Sequence, residues 1–192
     1  MKTRDYIIGG SILAVGGLLA ATYKMRRSIP KNAEAVKNFD VNRYMGRWFE
    51  IARMDYMWGK NVTDTTADYT LKGDGSVEVI NRGFDLKKGK WVESKGKAVF
   101  AGDPTEGRLK VSFFGPFYAG YNVIAVDNNY RYALVAGRNL DYLWLLSREQ
   151  TMPEEIKQDF LRKAMEIGYD ISKLVWPEHS ENWSIEFIGV TV

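Results

Sequence analysis

Glu50, with Tyr121 or Tyr142 nearby, is the side chain around which a catalytic role could be built in this 192-residue sequence, as a general acid or base. Such a role needs a nucleophile, a base and a group that orients the base, and no spacing in the chain supplies that set. Cysteine is absent, so thiol chemistry of every kind is excluded. His179 is the only histidine; zinc or haem would need further ligands around it, so a solvated side chain in the tail is expected. Asp127-Asn128-Asn129 lacks the spacing of a calcium loop and reads as a turn. No motif for phosphate, nucleotide or metal is present, and no cofactor is expected. Asn61-Val62-Thr63 and Asn182-Trp183-Ser184 match glycosylation acceptors, patterns too short to carry weight.

The elements that must hold these residues follow from composition and patterning. With 45% hydrophobic and 27% charged residues, the chain has the balance of one globular domain, large enough for a core without disulfides or metal. Five of its 27 basic residues and one of its 24 acidic ones lie in residues 1–27, which leaves the remainder at net −1. A domain so close to neutral has no phosphate-neutralising field, and nucleic acid is excluded as a partner. Tyr6 to Tyr23 is an uncharged run of 18 residues flanked by MKTRD and KMRR. It is either a cleaved signal peptide or an uncleaved membrane anchor, long enough to span hydrocarbon of about 30 Å. Residues 1–27 therefore address the chain to a membrane, 28–37 read as a polar linker, and 177–192 form a carboxy-terminal extension.

Between them, short runs rich in Val, Ile, Tyr, Phe and Trp alternate with turn clusters, the pattern of antiparallel sheet. Eight strands are expected, at Arg47–Met54, Thr65–Leu71, Val77–Gly83, Trp91–Phe100, Arg108–Phe113, Tyr121–Val126, Arg131–Ala136 and Tyr142–Ser147. One helix follows over 151–168, opened by a Thr151/Glu154 capping box and closed by Gly168, with Ile156, Phe160, Leu161, Ala164 and Ile167 on one face. A last strand is expected at Ile171–Trp176, and Ser184–Val192 could form another. Leu109, Val111 and Phe113 alternate with Arg108, Lys110 and Ser112, so that strand has solvent outside. The strands around Trp48–Ala52, Ala133–Ala136 and Leu143–Leu146 are apolar on both faces, and the helix is the element available to cover them. The fold class is all-β: an eight-stranded, up-and-down barrel with one helix packed outside.

Tyr44-Met45-Gly46-Arg47-Trp48-Phe49-Glu50, the block Lys110–Tyr118, and Tyr142-Leu143-Trp144-Leu145-Leu146-Ser147-Arg148 resemble the lipocalins, in particular their bacterial outer-membrane, apolipoprotein D-like branch. The resemblance covers residues 38–176. It implies that Trp48, after Gly46, stacks under Arg148 at the closed base of the barrel. It also departs from the branch: the cysteine through which such proteins are commonly lipid-anchored is missing, as is the cysteine nucleophile of the prostaglandin-synthase member.

With Trp48 inward, strict alternation turns Glu50, Ala52 and Met54 inward too. Glu50 is then either a polar spot for a ligand head group or the buried partner of an arginine such as Arg53 or Arg148. Parity with Arg148 brings Leu146, Trp144 and Tyr142 inside, and Tyr121, Val123 and Ala125 are the inward choice on the sixth strand. Ala67 and Tyr69 complete the expected ligand-facing set, and small residues at 52, 67, 98 and 125 argue against a filled interior. The resemblance implies a membrane-associated, non-enzymatic protein of the cell envelope. It would bind a fatty acid or lysophospholipid for storage or transport, with the barrel on the periplasmic side and a homodimer as one allowed assembly. The competing readings are a lipid- or isoprenoid-modifying enzyme using Glu50, and an interaction protein recruiting a partner through Trp183 and Phe187.

Overall fold

The computed structural model describes residues 28–54 and 61–180. The apolar run 6–23, the strand expected at 184–192 and the Trp183/Phe187 pair lie outside those residues. Among the described residues nine strands form one sheet: β1 Gly46–Met54, β2 Val62–Leu71, β3 Val77–Asp85, β4 Lys90–Phe100, β5 Arg108–Phe114, β6 Phe117–Val126, β7 Tyr132–Ala136, β8 Leu143–Ser147 and β9 Leu174–Val175. β2 to β8 pair antiparallel in chain order, and β1 closes the barrel by pairing with both β8 and β2. The barrel edges are thereby removed, as the alternating strands require. β9 takes up the edge of β1 beyond the point where β2 leaves it, through Arg53 and Met54. Only two residues of the strand expected at 171–176 pair; Ile171–Lys173 is a 3-10 turn instead, capped by Asp170.

A short helix, α1 (Val41–Tyr44), precedes β1, its first amides capped by the Asp40 carboxylate. The helix after the barrel, α2, spans Glu154–Ile167 and ends at Gly168 in the left-handed conformation. It starts three residues later than expected and the Thr151/Glu154 box is not formed. Pro153 is extended at ψ 140°, and a residue before proline is driven out of the helical region, so Met152 cannot belong to the helix. Glu154 and Glu155 in the first turn face the positive end of the helix dipole.

Two apolar layers result. The interior layer holds Phe39, Tyr44, Trp48, Tyr69, Val77, Val79, Ala98, Leu109, Val123, Val135 and Leu146. The outer layer joins Phe160, Leu161, Ala164 and Ile167 of α2 to Ile124, Leu134, Ala136, Leu143 and Leu145. The two-faced strands are thus covered by α2, as their sequence demands. Ala52 and Met54 belong to this outer layer, and Ala125 packs against it, which corrects their expected inward placement. In each case a β-bulge intervenes. Glu50 faces Leu146 but Ala52 faces Leu145, and Val123 faces Val135 but Ala125 faces Leu134. One extra residue per strand inverts every later side chain.

Residues 28–37, expected as a linker, lie against the barrel wall. Ala33 and Ala35 are buried, Val36 N donates to Val123 O (2.9 Å), and Gly107 N donates to Val36 O (2.9 Å).

Candidate functional site

The base of the barrel is built around Trp48, which is fully buried and donates its indole N–H to Tyr44 O at 2.9 Å. The Arg148 guanidinium carbon sits 3.8 Å from the Trp48 ring centroid. The same guanidinium donates to Arg47 O (2.6 Å), Arg43 O (2.9 Å), Tyr44 O (3.1 Å) and Tyr130 O (3.2 Å). α1 ends with the Arg43 and Tyr44 carbonyls lacking helical partners, and Arg148 satisfies them while capping the indole. Gly46 has φ +89°, a conformation in which a side chain would strain the backbone, and a Cβ there would sit against Arg148 Nη1 beside the stack.

Above the base, aromatic rings follow one another toward the opposite end. Tyr44 lies 5.8 Å from Tyr69 between centroids, Tyr69 lies 6.0 Å from Tyr121, Tyr121 lies 6.4 Å from Trp144 and Trp144 lies 6.3 Å from Tyr142. Three phenols converge in this series: the Tyr121 hydroxyl is 2.7 Å from that of Tyr44 and 2.9 Å from that of Tyr69. Burial, reinforced by the neighbouring Tyr69, pushes the Tyr44 phenol well above its ordinary range, and burial does the same to Tyr121. These hydroxyls stay neutral and remain available as both donors and acceptors.

Glu50 is buried and paired with Arg53, whose side chain is only 2% exposed. Arg53 also donates to Val62 O at 3.0 Å and approaches Thr65 Oγ1 at 3.4 Å, at the gap where β1 and β2 part. Of the two arginines considered, Arg53 takes the carboxylate and Arg148 takes the indole. Glu50 is thus a neutralised member of an ion pair, and no hydrogen bond links it to Tyr121 or Tyr142 among those described.

Trp144, Leu146, Tyr69, Tyr121, Val123 and Ala67 share the interior, whereas Ala52 and Met54 face α2. Tyr142 lies just outside β8 and is 37% exposed, so it stands at the rim rather than on the inner wall. Tyr44, which unites the base with the phenol cluster, was not in the expected set. It precedes the first strand, where alternation has nothing to say. His179 is docked rather than solvated: its Nε2 is 2.9 Å from Glu50 O and its ring meets Phe49 edge-on. Glu178 O accepts from Asp64 N and Thr63 Oγ1, which straps the start of the extension over the gap between β1 and β2. Among the described residues, no three His, Asp or Glu side chains group closely enough to hold a metal ion.

Comparison with known proteins places this geometry. Residues 39–179 match the family model described as a lipocalin-like domain. The outer membrane lipoprotein Blc of Escherichia coli K12 is 51% identical over 147 residues, covering 77% of this chain and 83% of that protein. Temperature-induced lipocalin-1 of Arabidopsis thaliana is 40% identical over 154 residues, covering 75% and 81%. Insecticyanin of the tobacco hornworm Manduca sexta superposes with a TM-score of 0.62 at 21% identity, covering 78% of this chain and 85% of that one.

Proposed function

The chain belongs to the lipocalin family, and from that premise we propose that it is a membrane-associated carrier. In this reading it holds a fatty acid or lysophospholipid in its barrel, for lipid storage or transport in the cell envelope. The supporting observation is the series of rings from the buried phenols at Tyr44, Tyr69 and Tyr121 to Tyr142 at the rim. Trp144, Leu146 and Val123 offer apolar contact to an acyl chain, and each buried methylene contributes about 0.8 kcal/mol before immobilisation costs. Neutral phenols and the Arg53/Glu50 pair give polar anchoring without a net buried charge. The similarity to outer membrane lipoproteins and the uncharged run 6–23 support an envelope location with that run as the anchor. Binding needs no reaction, so this reading assigns the carrier no catalytic step.

The experiment is mass spectrometry of small molecules extracted from the purified protein, followed by displacement of a fluorescent fatty acid. Val123→Trp fills the interior at a fully buried position, while Lys110→Trp changes an exposed one. The first should weaken fatty-acid binding strongly and the second leave it unchanged. Equal affinity of wild type and a folded Val123→Trp variant would sink the proposal.

A further inference from the structure

The end of the barrel opposite Trp48 carries large apolar side chains exposed to solvent. β1 leaves the base at Gly46, so the antiparallel order puts the β3–β4, β5–β6 and β7–β8 connections together at the far end. The tip Phe114-Gly115-Pro116-Phe117 leaves its two phenylalanines 78% and 79% exposed, and Tyr118 beside them is exposed. Leu86, 61% exposed, stands on the β3–β4 turn, and Leu140 with Tyr142 on the β7–β8 loop. A single exposed leucine is ordinary; six large apolar residues on one rim form a contact surface.

On the β3–β4 and β7–β8 loops that carry Leu86, Leu140 and Tyr142, basic side chains outnumber acidic ones. Lys87, Lys88 and Lys90 adjoin Leu86, and Arg138 adjoins Leu140, all exposed. Asp85 and Asp141 are the acidic neighbours on these two loops, and Asp85 already pairs with Lys88 at 3.1 Å. Apolar groups interleaved with cations fit the boundary between acyl chains and anionic head groups.

The path of the chain leads to the same end. The Ser28 carbonyl accepts from Asn122 Nδ2 at 2.7 Å, and that amide also reaches Ala136 O and Gly137 O, where the β7–β8 loop begins. Ser28 lies so close to Gly120, three residues from Phe117, that an added Cβ would fall 2.2 Å from its oxygen. From there residues 29–39 descend to the base, where Phe39 N donates to Thr105 O and Asp40 N donates to the Tyr130 hydroxyl. Tyr23, the last residue of the uncharged run, precedes Ser28 by five residues, a reach of at most about 18 Å fully extended. Lys24, Arg26 and Arg27 lie in that interval.

We propose that the open rim docks on an anionic phospholipid bilayer. Leu86, Phe114, Phe117, Tyr118 and Leu140 enter the interfacial layer, with Lys87, Lys88, Lys90 and Arg138 at the phosphates. The mouth then faces the bilayer, and an acyl chain passes between membrane and barrel without crossing water. The tether part of this argument rests on the anchor reading of residues 6–23; the rim part does not.

The absence of cysteine makes the test direct. Phe117→Cys at the rim and Asn128→Cys at the base are each labelled with an environment-sensitive fluorophore in the full chain. The labelled protein is placed in phosphatidylethanolamine/phosphatidylglycerol vesicles containing spin-labelled lipid. Quenching at the rim should exceed that at the base by about threefold or more, as for interfacial insertion. A Leu86→Cys reporter should lose that excess when Phe114 and Phe117 are both changed to Ser, while displacement of the fluorescent fatty acid stays unchanged. A rim label as wet and unquenched as the base label overturns the proposal. So does a rim label already shielded without lipid, which would mean that a second copy or the carboxy-terminal extension covers the rim. Should intact mass show a chain starting after residue 27, the same labels are read on protein added to preformed vesicles. Rim docking thus fails or survives separately from the anchor, and separately from fatty-acid binding.

Discussion

Arg148 does two things that no other residue type does together: its flat cation covers the Trp48 indole, and its N–H groups reach the carbonyls of Arg43, Tyr44, Arg47 and Tyr130. Removing the ring it covers leaves a cavity and takes away the indole N–H that donates to Tyr44 O. Trp48→Ala should therefore cost about 3–5 kcal/mol in chemical denaturation, and a loss under about 1 kcal/mol would contradict the packing described. The phenol cluster makes a second prediction, in pH. Tyr44 and Tyr121 are raised above the ordinary tyrosine value of 10.0 chiefly by burial, so the unfolded chain releases their protons first. Their contribution to stability is complete below about pH 10 and is lost as pH rises beyond it toward the folded-state values. The urea midpoint should fall steeply above that pH, in step with tyrosinate absorbance, and Tyr121→Phe should make the fall shallower. A midpoint independent of pH up to 11 or so would argue against buried neutral phenols.

At the scale of elements, eight strands and one docked helix were legible because period-2 and period-3.6 patterns are written in side-chain type. Trp144, Leu146, Tyr121 and Val123 sit inside as alternation requires. Ala52, Met54 and Ala125 do not, because a bulge is a property of two strands in register and leaves no mark on either sequence alone. The start of α2 departs from the Thr151/Glu154 pattern for a different reason: the intervening Pro153 keeps Met152 out of the helical region. The partner of Glu50 was undecidable from spacing, since both arginines were compatible with an inward carboxylate and only the path of β1 selects Arg53. The bulges have a measurable consequence. Ala52→Trp should collide with the layer under α2 and destabilise the protein by about 1–3 kcal/mol or more. At a temperature where that variant is still folded, fatty-acid affinity should be unaltered, in contrast to Val123→Trp. A stable Ala52→Trp variant that had lost ligand affinity would return position 52 to the interior. Leu161→Ala on the facing helix should cost about 2–5 kcal/mol by thermal or urea unfolding, since its side chain is buried between α2 and the barrel wall.

For the molecule as a whole, every neighbouring pair from β2 to β8 is adjacent in the chain, whereas the β1–β8 seam joins Glu50 to Leu146 and Arg53 to Trp144. The meander can grow by short, inexpensive loop closures, but the ring cannot close until its two sequence-distant ends meet. This topology predicts an order of events during folding: hairpins first, with the curved sheet still open, and the seam after the rate-limiting barrier. A truncation in the middle of the meander, such as Val79→Ala, should slow refolding, while Leu145→Ala at the seam should mainly accelerate unfolding; stopped-flow measurements across a urea series separate the two, and the reverse pattern would place the seam in the nucleus. An open sheet also presents β1 and β8 as bare edges for as long as closure is pending, which makes this seam the place where two nascent copies would exchange strands.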